Sequence, residues 1–595
     1  MPNFTPPTLD QLVDFLLPTE LFRDAERKVV LKLARELEVI FLPSQDTLVE
    51  EGDHGDEMFI IYWGRLRVFQ KRDGEEKFIG ELGARDSVGE IALLIDQPRM
   101  ATVKAIRDTV LIKLTKKTYQ KFADKFPQAA LNIAKGALTR VLSREKKEKS
   151  GKKIAAITLV PMSTSPCSEI FTHQLLVALE KYGSVKLVTA DAIREKFQDN
   201  IDNLLLWLSD LEMQFKYVIY LAEYGFSSLM EIFIRQSDVV YLINDRYTTE
   251  ESKRDIEKNI LENKTILQRT SLLILQETQH KSFEPLYEWI SEHKLDDYHH
   301  VALDRPSDLA RMARFITGRS MGLVLAGGGA LGFAHVGVFR ALEEANISAD
   351  IIGGTSAGGL IGGLYAMGHS PQEIEGICDA LIHQATKLNM TFPYVSIASG
   401  ASLVWALKRM YGQKKIEELT KRYFCVSTNI TSGELCVHDS GLLWESVRAS
   451  TSLPGIYPPV YFKNNLFVDG AILNNLPVDI MFQRFGAGQV LAVMFTGKKR
   501  ELSTDFEATE LSGWSILKNK MSPFSQKVKT PRVDTILLRS FGLAEQKEQI
   551  RQSKRADFCI SLELGDFALL DFKKYKEIIE QGYRQAKIAL EKWNP

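Results

Sequence analysis

Two short stretches carry residues whose types and spacing suit acyl-transfer chemistry. In A349-D-I-I-G-G-T-S-A-G-G-L360, residues Gly354 to Gly358 satisfy G-x-S-x-G between an apolar strand-like run and a helix-like one. Glycines flank Ser356 because a sharp strand-to-helix turn leaves no room for side chains. Such a turn thrusts the hydroxyl outward at a helix N-terminus, where it can act as a nucleophile. One strand–helix unit earlier, M321-G-L-V-L-A-G-G-G-A-L-G-F-A-H335 runs from an apolar strand into Gly327, Gly328 and Gly329. Bare amides converging at that turn suit an anion, which makes the three glycines the candidate oxyanion hole. Gly327, Gly329 and Gly332 also satisfy the G-x-G-x-x-G of a dinucleotide site. That alternative, an NAD-linked oxidoreductase, wants an acidic residue closing the second strand; here the strand follows Asp350 and closes in Gly353-Gly354.

A serine nucleophile needs a base. The last histidine of the chain is His438, so a histidine base has to be His369, His383, His438 or one further upstream. The other option is a carboxylate. N465-L-F-V-D-G-A-I-L-N-N475 places Asp469 at the end of a short apolar strand, directly before Gly470. A carboxylate held in hydrogen-bond reach and partly desolvated can take the hydroxyl proton itself. Met alone, Asp-Gly is ordinary hairpin punctuation.

The elements that must position these residues occupy only part of the chain, whose 595 residues are too many for one core. Helical spacing of Leu9, Leu12, Val13, Leu16 and Leu17 predicts an N-terminal helix over 1–20, docked on the next domain or lying on a membrane surface. From about 40 to 115 short alternating runs broken by Gly and Asp predict a small β-barrel or sandwich, followed by a helix and a basic run through Lys152 and Lys153. From about Lys153 strand-like runs alternate with helical ones, as in a parallel α/β layer. No G-x-x-x-x-G-K-[ST] occurs there. A third block opens near Thr317 and contains the serine and glycine turns.

Lys and Arg number 75 against 76 Asp and Glu, a formal net charge of -1, which argues against a dedicated nucleic-acid binder. The five cysteines are scattered, odd in number and not paired with histidines as in a zinc site, so a reducing cytosol is the expected compartment and no metal is expected. The N-terminus is acidic where a signal peptide is basic. The uncharged run Ile351–Gly368 is broken by glycines and reads as a buried strand, turn and helix rather than a membrane span.

A second kind of site lies in the β region, in S87-V-G-E-I-A-L-L-I-D-Q-P-R-M-A-T-V103. Amides at a helix start and the Arg99 guanidinium can hold a cyclic phosphate, and the Glu90 carboxylate can accept from a ribose hydroxyl. Together with Glu51-Gly-Asp-His-Gly-Asp56 and the following MFIIYWGRLRV, the segment resembles a cyclic-nucleotide-binding domain. The resemblance implies that Glu90 takes the ribose 2′-OH and Arg99 the phosphate, with Gly89 beside Glu90 in the site and Ala101 and Thr102 in the phosphate-binding turn. Met100, which has no hydroxyl for a guanine amino group, favours cAMP over cGMP.

In order and spacing, G327-G-G-A-L-G332, G354-T-S-A-G358 and D469-G-A471 resemble a patatin-like phospholipase domain. The resemblance implies a Ser356/Asp469 dyad that needs neither metal nor other catalytic cofactor, with Gly327, Gly328 and Gly329 as oxyanion hole. Leu331 departs from the arginine usual in this glycine turn, which bears on headgroup preference. The order of parts resembles the neuropathy target esterase family and its bacterial relatives, whose animal members carry a membrane anchor and further nucleotide-binding-like domains.

The expected architecture is therefore multidomain α/β. It comprises a jelly-roll cyclic-nucleotide-binding domain at 21–145, an α/β connector at 154–310 and a patatin-like α/β/α hydrolase with a C-terminal extension at 318–595. The expected function is hydrolysis of phospholipid or lysophospholipid esters, regulated by cyclic nucleotide, in the cytoplasm or peripherally on a membrane. The competing reading is a non-enzymatic nucleotide sensor or scaffold that keeps the hydrolase fold.

Overall fold

The continuous apolar run MFIIYW at 58–63 has no polar alternation, and its position explains why. The computed structural model describes residues 6–593 apart from 20, 23–24, 73–74, 92–96, 129–130, 132–134, 136–153, 198–203, 263–267, 278–288, 291, 294, 386–388, 393, 463, 497–511, 513, 515–535 and 537–545. The chain divides into two compact units, Met1–Gly318 and Arg319–Pro595.

The first unit begins with a jelly-roll of two antiparallel sheets. Its strands are β1 (Glu38–Leu42), β2 (Thr47–Val49), β3 (Glu57–Trp63), β4 (Leu66–Arg72), β5 (Glu75–Leu82), β6 (Ser87–Val88), β7 (Thr102–Ala105) and β8 (Thr109–Thr115). The sheet orders are β1-β8-β3-β6 and β2-β7-β4-β5. Phe59, Ile61, Leu66, Val103 and Leu111 fill the space between them. The opposite face of β3 and β8, with Met58, Ile60 and Ile112, is covered by the helix Leu9–Leu16 through Leu12, Val13 and Leu16, and by Val30, Tyr119 and Phe122. β3 is thus buried on both sides, and a strand in that position needs no polar face. Thr8 and Gln11 form a capping box that starts the N-terminal helix. Its apolar face is spent on this core, so it docks on the β domain rather than on a membrane. The basic run at 144–153 lies outside the described residues.

The connector is a parallel sheet of β9 (Ala156–Pro161), β10 (Val185–Thr189), β11 (Tyr217–Leu221), β12 (Val239–Asn244), β13 (Arg269–Gln276) and β14 (Asp297–Ala302), in the order β10-β11-β9-β12-β13-β14. Separate apolar cores on its two faces account for its all-apolar strands. Within this unit the connector and the jelly-roll share a buried ion cluster. Arg107 makes two bonds to Glu212, at 2.8 and 2.9 Å, and Arg65 meets Asp238 at 3.1 Å. Arg269 meets Glu81 of β5 at 3.1 Å.

The second unit is built on β15 (Met321–Leu325), β16 (Ile351–Thr355), β17 (Arg422–Asn429), β18 (Glu434–His438), β19 (Val460–Phe462), β20 (Asn465–Asp469), β21 (Gln489–Thr496) and β22 (Phe558–Glu563). The order is β19-β20-β17-β16-β15-β21-β22, with β18 also on β17. β22, β21, β15, β16 and β17 run parallel, while β18 and β20 join β17 antiparallel and β19 joins β20 antiparallel. Helices Ala334–Glu344, Ala357–Ala366 and Tyr575–Leu590 contribute to one large core with Leu323, Ile352 and Tyr423. Two registers matter for chemistry: Thr355 pairs with Val426, and Ser427 pairs with Asp469. Asp469 therefore stands level with Ser356, with β17 between their strands. Among the described residues no helix is long and apolar enough to cross a membrane.

Candidate active site

β16 ends in Thr355, and the chain turns at Ser356 with φ 52° and ψ -121° before the helix Ala357–Ala366. A positive φ at a non-glycine residue is strained backbone, held here by its surroundings. The turn is that tight because helix and strand touch: a Cβ at Gly358 would lie 2.2 Å from the Leu325 carbonyl oxygen. The Ser356 amide donates to Ser450 Oγ at 2.9 Å, and the Thr355 hydroxyl donates to the Asn474 carbonyl at 2.9 Å. With both neighbours pinned, the Ser356 side chain is aimed rather than free.

The Ser356 hydroxyl donates to Asp469 Oδ2 at 2.7 Å. The other carboxylate oxygen accepts the Ala471 amide at 2.9 Å, and the Asp469 backbone is tied to Ser452 and Thr428. Asp469 is 2% exposed. Burial pushes its carboxyl up to about 6, against the pull of the Ala471 and Ser356 bonds. A carboxylate with that affinity for protons, in contact with a hydroxyl, is suited to general-base work near neutral pH. Among the described residues no histidine shares this bond. His438 on β18 pairs with Ser427 at 2.7 Å and burial lowers it to about 4, and His369 lies beside Glu373. His383 sits on the helix Pro371–Ala385.

The glycine turn packs directly on the serine: a Cβ at Gly327 would lie 3.0 Å from Ser356 Cβ. Its three amides are not equivalent, and here the expectation of a three-glycine oxyanion hole is corrected. The Gly327 amide donates to Asn475 Oδ1 at 2.8 Å, and Asn475 Nδ2 donates back to the Gly327 carbonyl at 3.2 Å. A peptide clamped on both sides has no hydrogen left for an oxyanion. Gly328 and Gly329 keep theirs: neither amide donates to an acceptor among the described residues. Gly329 has φ 55°, and a Cβ there would lie 2.4 Å from the Leu569 carbonyl oxygen, which instead accepts the Ala330 amide at 2.8 Å. His335, fully buried and lowered to about 4 by desolvation, holds the Ala326 carbonyl at 2.9 Å beneath the turn. Leu331 packs against the core. Asn475 and His335 were not singled out from the sequence; a second asparagine six residues after Asp469 is a signal only once the fold brings it to Gly327.

The family model described as "Patatin-like phospholipase" matches residues 323–482. These residues are a patatin-like phospholipase domain. Residues 39–126 match the cyclic nucleotide-binding domain, and residues 153–321 match the "Neuropathy Target Esterase family P-loop like domain". The chain is 29% identical over 608 residues to patatin-like phospholipase domain-containing protein 6 of Homo sapiens, covering 92% of this chain and 44% of that one. It is 30% identical over 614 residues to protein 7 of the same name in Mus musculus, covering 92% and 44%. It is 28% identical over 636 residues to lysophospholipase NTE1 of Mycosarcoma maydis, covering 92% and 33%. The chain thus spans less than half the length of these relatives.

Outside the patatin domain, the structure places most of the expected nucleotide residues around one pocket in the jelly-roll, lined by Val49, Phe59, Val68, Val88, Gly89, Glu90, Ile91, Arg99, Met100, Ala101 and Val103. Glu90 and Arg99 are each 7% exposed, not the surface ion pair their types suggest. Glu90 accepts the Ser87 hydroxyl at 2.6 Å. Arg99 Nη2 donates to the Glu57 carbonyl at 3.0 Å, while its buried Nη1 has no partner among the described residues. A donor stranded in this way suits an anionic ligand. Gly89, at φ 88°, leaves room for it, since a Cβ there would lie 2.5 Å from Nη1. Thr102 does not line the pocket. It begins β7 and its hydroxyl accepts the Glu51 amide at 3.1 Å, because strand alternation turns it away from Ala101 and Val103.

In the P-loop-like domain, the loop from β9 into the helix Cys167–Glu180 reads Met162-Ser-Thr-Ser-Pro166 and satisfies itself. Ser163 Oγ donates to Asp245 at 2.8 Å, and the Ser165 and Cys167 amides donate to the Ser163 and Ser165 hydroxyls at 3.2 Å. Among the described residues no cluster of three or more His, Cys, Asp or Glu side chains is placed to hold a metal.

Proposed function

We propose that this chain is a serine esterase that hydrolyses acyl ester bonds of phospholipids or lysophospholipids through Ser356 and Asp469. The observation that carries the reading is the 2.7 Å bond from the Ser356 hydroxyl to a carboxylate that is buried and proton-hungry. Asp469 takes the hydroxyl proton as Oγ attacks the ester carbonyl carbon. The carbonyl π electrons move onto oxygen, which the Gly328 and Gly329 amides receive. Collapse of the tetrahedral intermediate breaks the bond to the alcohol, which leaves with the proton from Asp469. Asp469 then deprotonates a water that attacks the acyl-serine, releasing the fatty acid and restoring Ser356. Lipid as the substrate class rests on the patatin domain and on the names of the relatives. Scattered cysteines fit a cytoplasmic protein that meets its lipid peripherally.

The jelly-roll takes cAMP, with Arg99 Nη1 on the cyclic phosphate and Glu90 on the ribose, and regulates hydrolysis by binding active and inactive states unequally. Two experiments test the whole. A fluorophosphonate should label the wild type and not Ser356→Ala, and Ser356→Ala should lose ester hydrolysis while staying folded; a substantially active, pure Ser356→Ala protein ends the dyad reading. Calorimetry should show cAMP binding that Arg99→Ala abolishes, and hydrolysis rates with and without cAMP then measure the coupling.

A further inference from the structure

The patatin unit holds aromatic side chains out in water without any internal reason to do so. The loop from Asn389 to Ser399 is closed on itself: Thr391 N donates to the Ile397 carbonyl at 3.0 Å, Ser399 N to the Asn389 carbonyl at 2.9 Å, and Met390 bridges Ala398. Yet Phe392 is 83% exposed, Tyr394 89% and Met390 68%. The hairpin of β19 and β20 repeats the pattern, with Tyr461 68% exposed and Phe462 49%. Both tips are fixed to the backbone that shapes the active site. Ile397 and Ala398 donate to the carbonyls of Gly455 and Ile456 at 2.9 Å, a few residues beyond Ser452, whose carbonyl accepts the Asp469 amide; the hairpin itself ends at Asp469.

Charge says what these tips face. Between Asp379 and Glu417 the sequence contains no acidic residue, while it holds Lys387, Lys408, Arg409, Lys414 and Lys415. The loop passes through Gly400 into the helix Ala401–Tyr411, on which Trp405, Lys408 and Arg409 are exposed at helical spacing. Aromatic side chains beside cations, with no anion among them, match the boundary between lipid headgroups and acyl chains. A protein partner gives no reason for the lack of carboxylates over so long a run.

We propose that Met390, Phe392, Tyr394 and Val395, Tyr461 and Phe462 of the β19–β20 hairpin and the exposed face of Ala401–Tyr411 dock this unit on a phospholipid bilayer. Docking there presents the Ser356 site to lipid. The inference rests on the lipid-esterase reading above and deepens it.

The test uses the full chain carrying Ser356→Ala, so that vesicles are not consumed. Co-sedimentation is measured with phosphatidylcholine vesicles, with and without added phosphatidylglycerol. Phe392→Ser with Tyr394→Ser should weaken partitioning about tenfold or more, and Lys408→Glu with Arg409→Glu should abolish the gain from phosphatidylglycerol. On the active background the same substitutions should leave hydrolysis of water-soluble p-nitrophenyl butyrate within about twofold, which also shows that the variants fold. Unchanged partitioning overturns the docking surface, as does a dimer in sedimentation velocity that the Phe392/Tyr394 variant dissociates, since a second copy then covers the loop. Failure of the wild type to hydrolyse the soluble ester overturns the esterase reading instead and leaves the partition measurement standing.

Discussion

Asp469→Asn separates the chemistry of the site from its cost to the fold. Asparagine keeps the shape of the side chain and an oxygen for the Ala471 amide, but it cannot take a proton from Ser356. Removing a general base costs about 10²–10⁴ in rate. Stability should move the other way. Burial lifts the Asp469 carboxyl from 3.8 to about 6, and at 1.36 kcal/mol per pH unit the ionised form costs the folded unit about 3 kcal/mol. The sign follows from the raised value: above pH 6 the folded state holds a buried charge that the unfolded chain would hold in water, so the penalty is fully present. It fades as the pH falls from 6 toward 3.8, and well below that both states are protonated. Asp469→Asn should therefore stabilise the unit at pH 8, by up to about 3 kcal/mol, and by nearly nothing well below pH 4. Hydrogen exchange on peptides from β15, β16 and β17 reads the opening free energy of this unit alone, without assuming that the whole chain unfolds in one step. Hydrolysis of a soluble ester by the wild type should rise with pH around a midpoint near 6. An Asn variant that stays active, or one that is less stable than the wild type at pH 8, refutes the reasoning.

Asn475→Ala should lower kcat with little change in KM, because the freed Gly327 peptide no longer fixes the glycine turn; two buried backbone groups lose their partners, at about 1–3 kcal/mol each, which hydrogen exchange around Gly327 should register. His438→Gln should leave ester hydrolysis within about threefold, since the imidazole serves Ser427 and not Ser356; a loss comparable to that of Asp469→Asn would reopen the choice of base. Arg107→Ala strands the Glu212 carboxylate and leaves Asp238 with Arg65 as its cation, and should destabilise the first unit by about 3–5 kcal/mol, read as earlier urea unfolding of its peptides in exchange experiments.

The parts of this architecture that were legible in the sequence are those fixed by local rules. Ser356 stood out because a strand-to-helix turn of that sharpness admits little but glycine around it, and the structure shows the helix backbone almost on the strand where Gly358 sits. The parallel sheets announced themselves through all-apolar runs bounded by turns. Asp469 was harder, since an aspartate before glycine is common. It became specific only through its register with Ser427, one strand from the serine. Gly327 shows the opposite failure. Three glycines in a row look interchangeable, but a partner 148 residues further on occupies the amide of one of them. Thr102 failed for a similar reason, as the strand phase that turns it from the pocket is set by pairing with β4 and β2.

Charge was the least legible feature, and it taught the most about how the parts are joined. A near-neutral total suggested only that no strong field surrounds the protein, and nothing in the sequence singled out Arg65, Arg107, Glu81, Glu212 and Asp238. The structure joins all five in one cluster linking the jelly-roll to the connector, with Arg65, Arg107 and Asp238 buried and Glu81 and Glu212 partly buried. Such a cluster is a poor source of net stability, because desolvation consumes most of the Coulombic gain, but it tolerates no missing partner. It therefore acts as a register device, holding the jelly-roll and connector in one arrangement at the cost of intolerance to single substitutions. Glu81, which binds Arg269 of the connector, lies on β5. That strand pairs with β4, whose Val68 lines the jelly-roll pocket, so the pocket wall and the connector are joined by one strand pair and one ion pair.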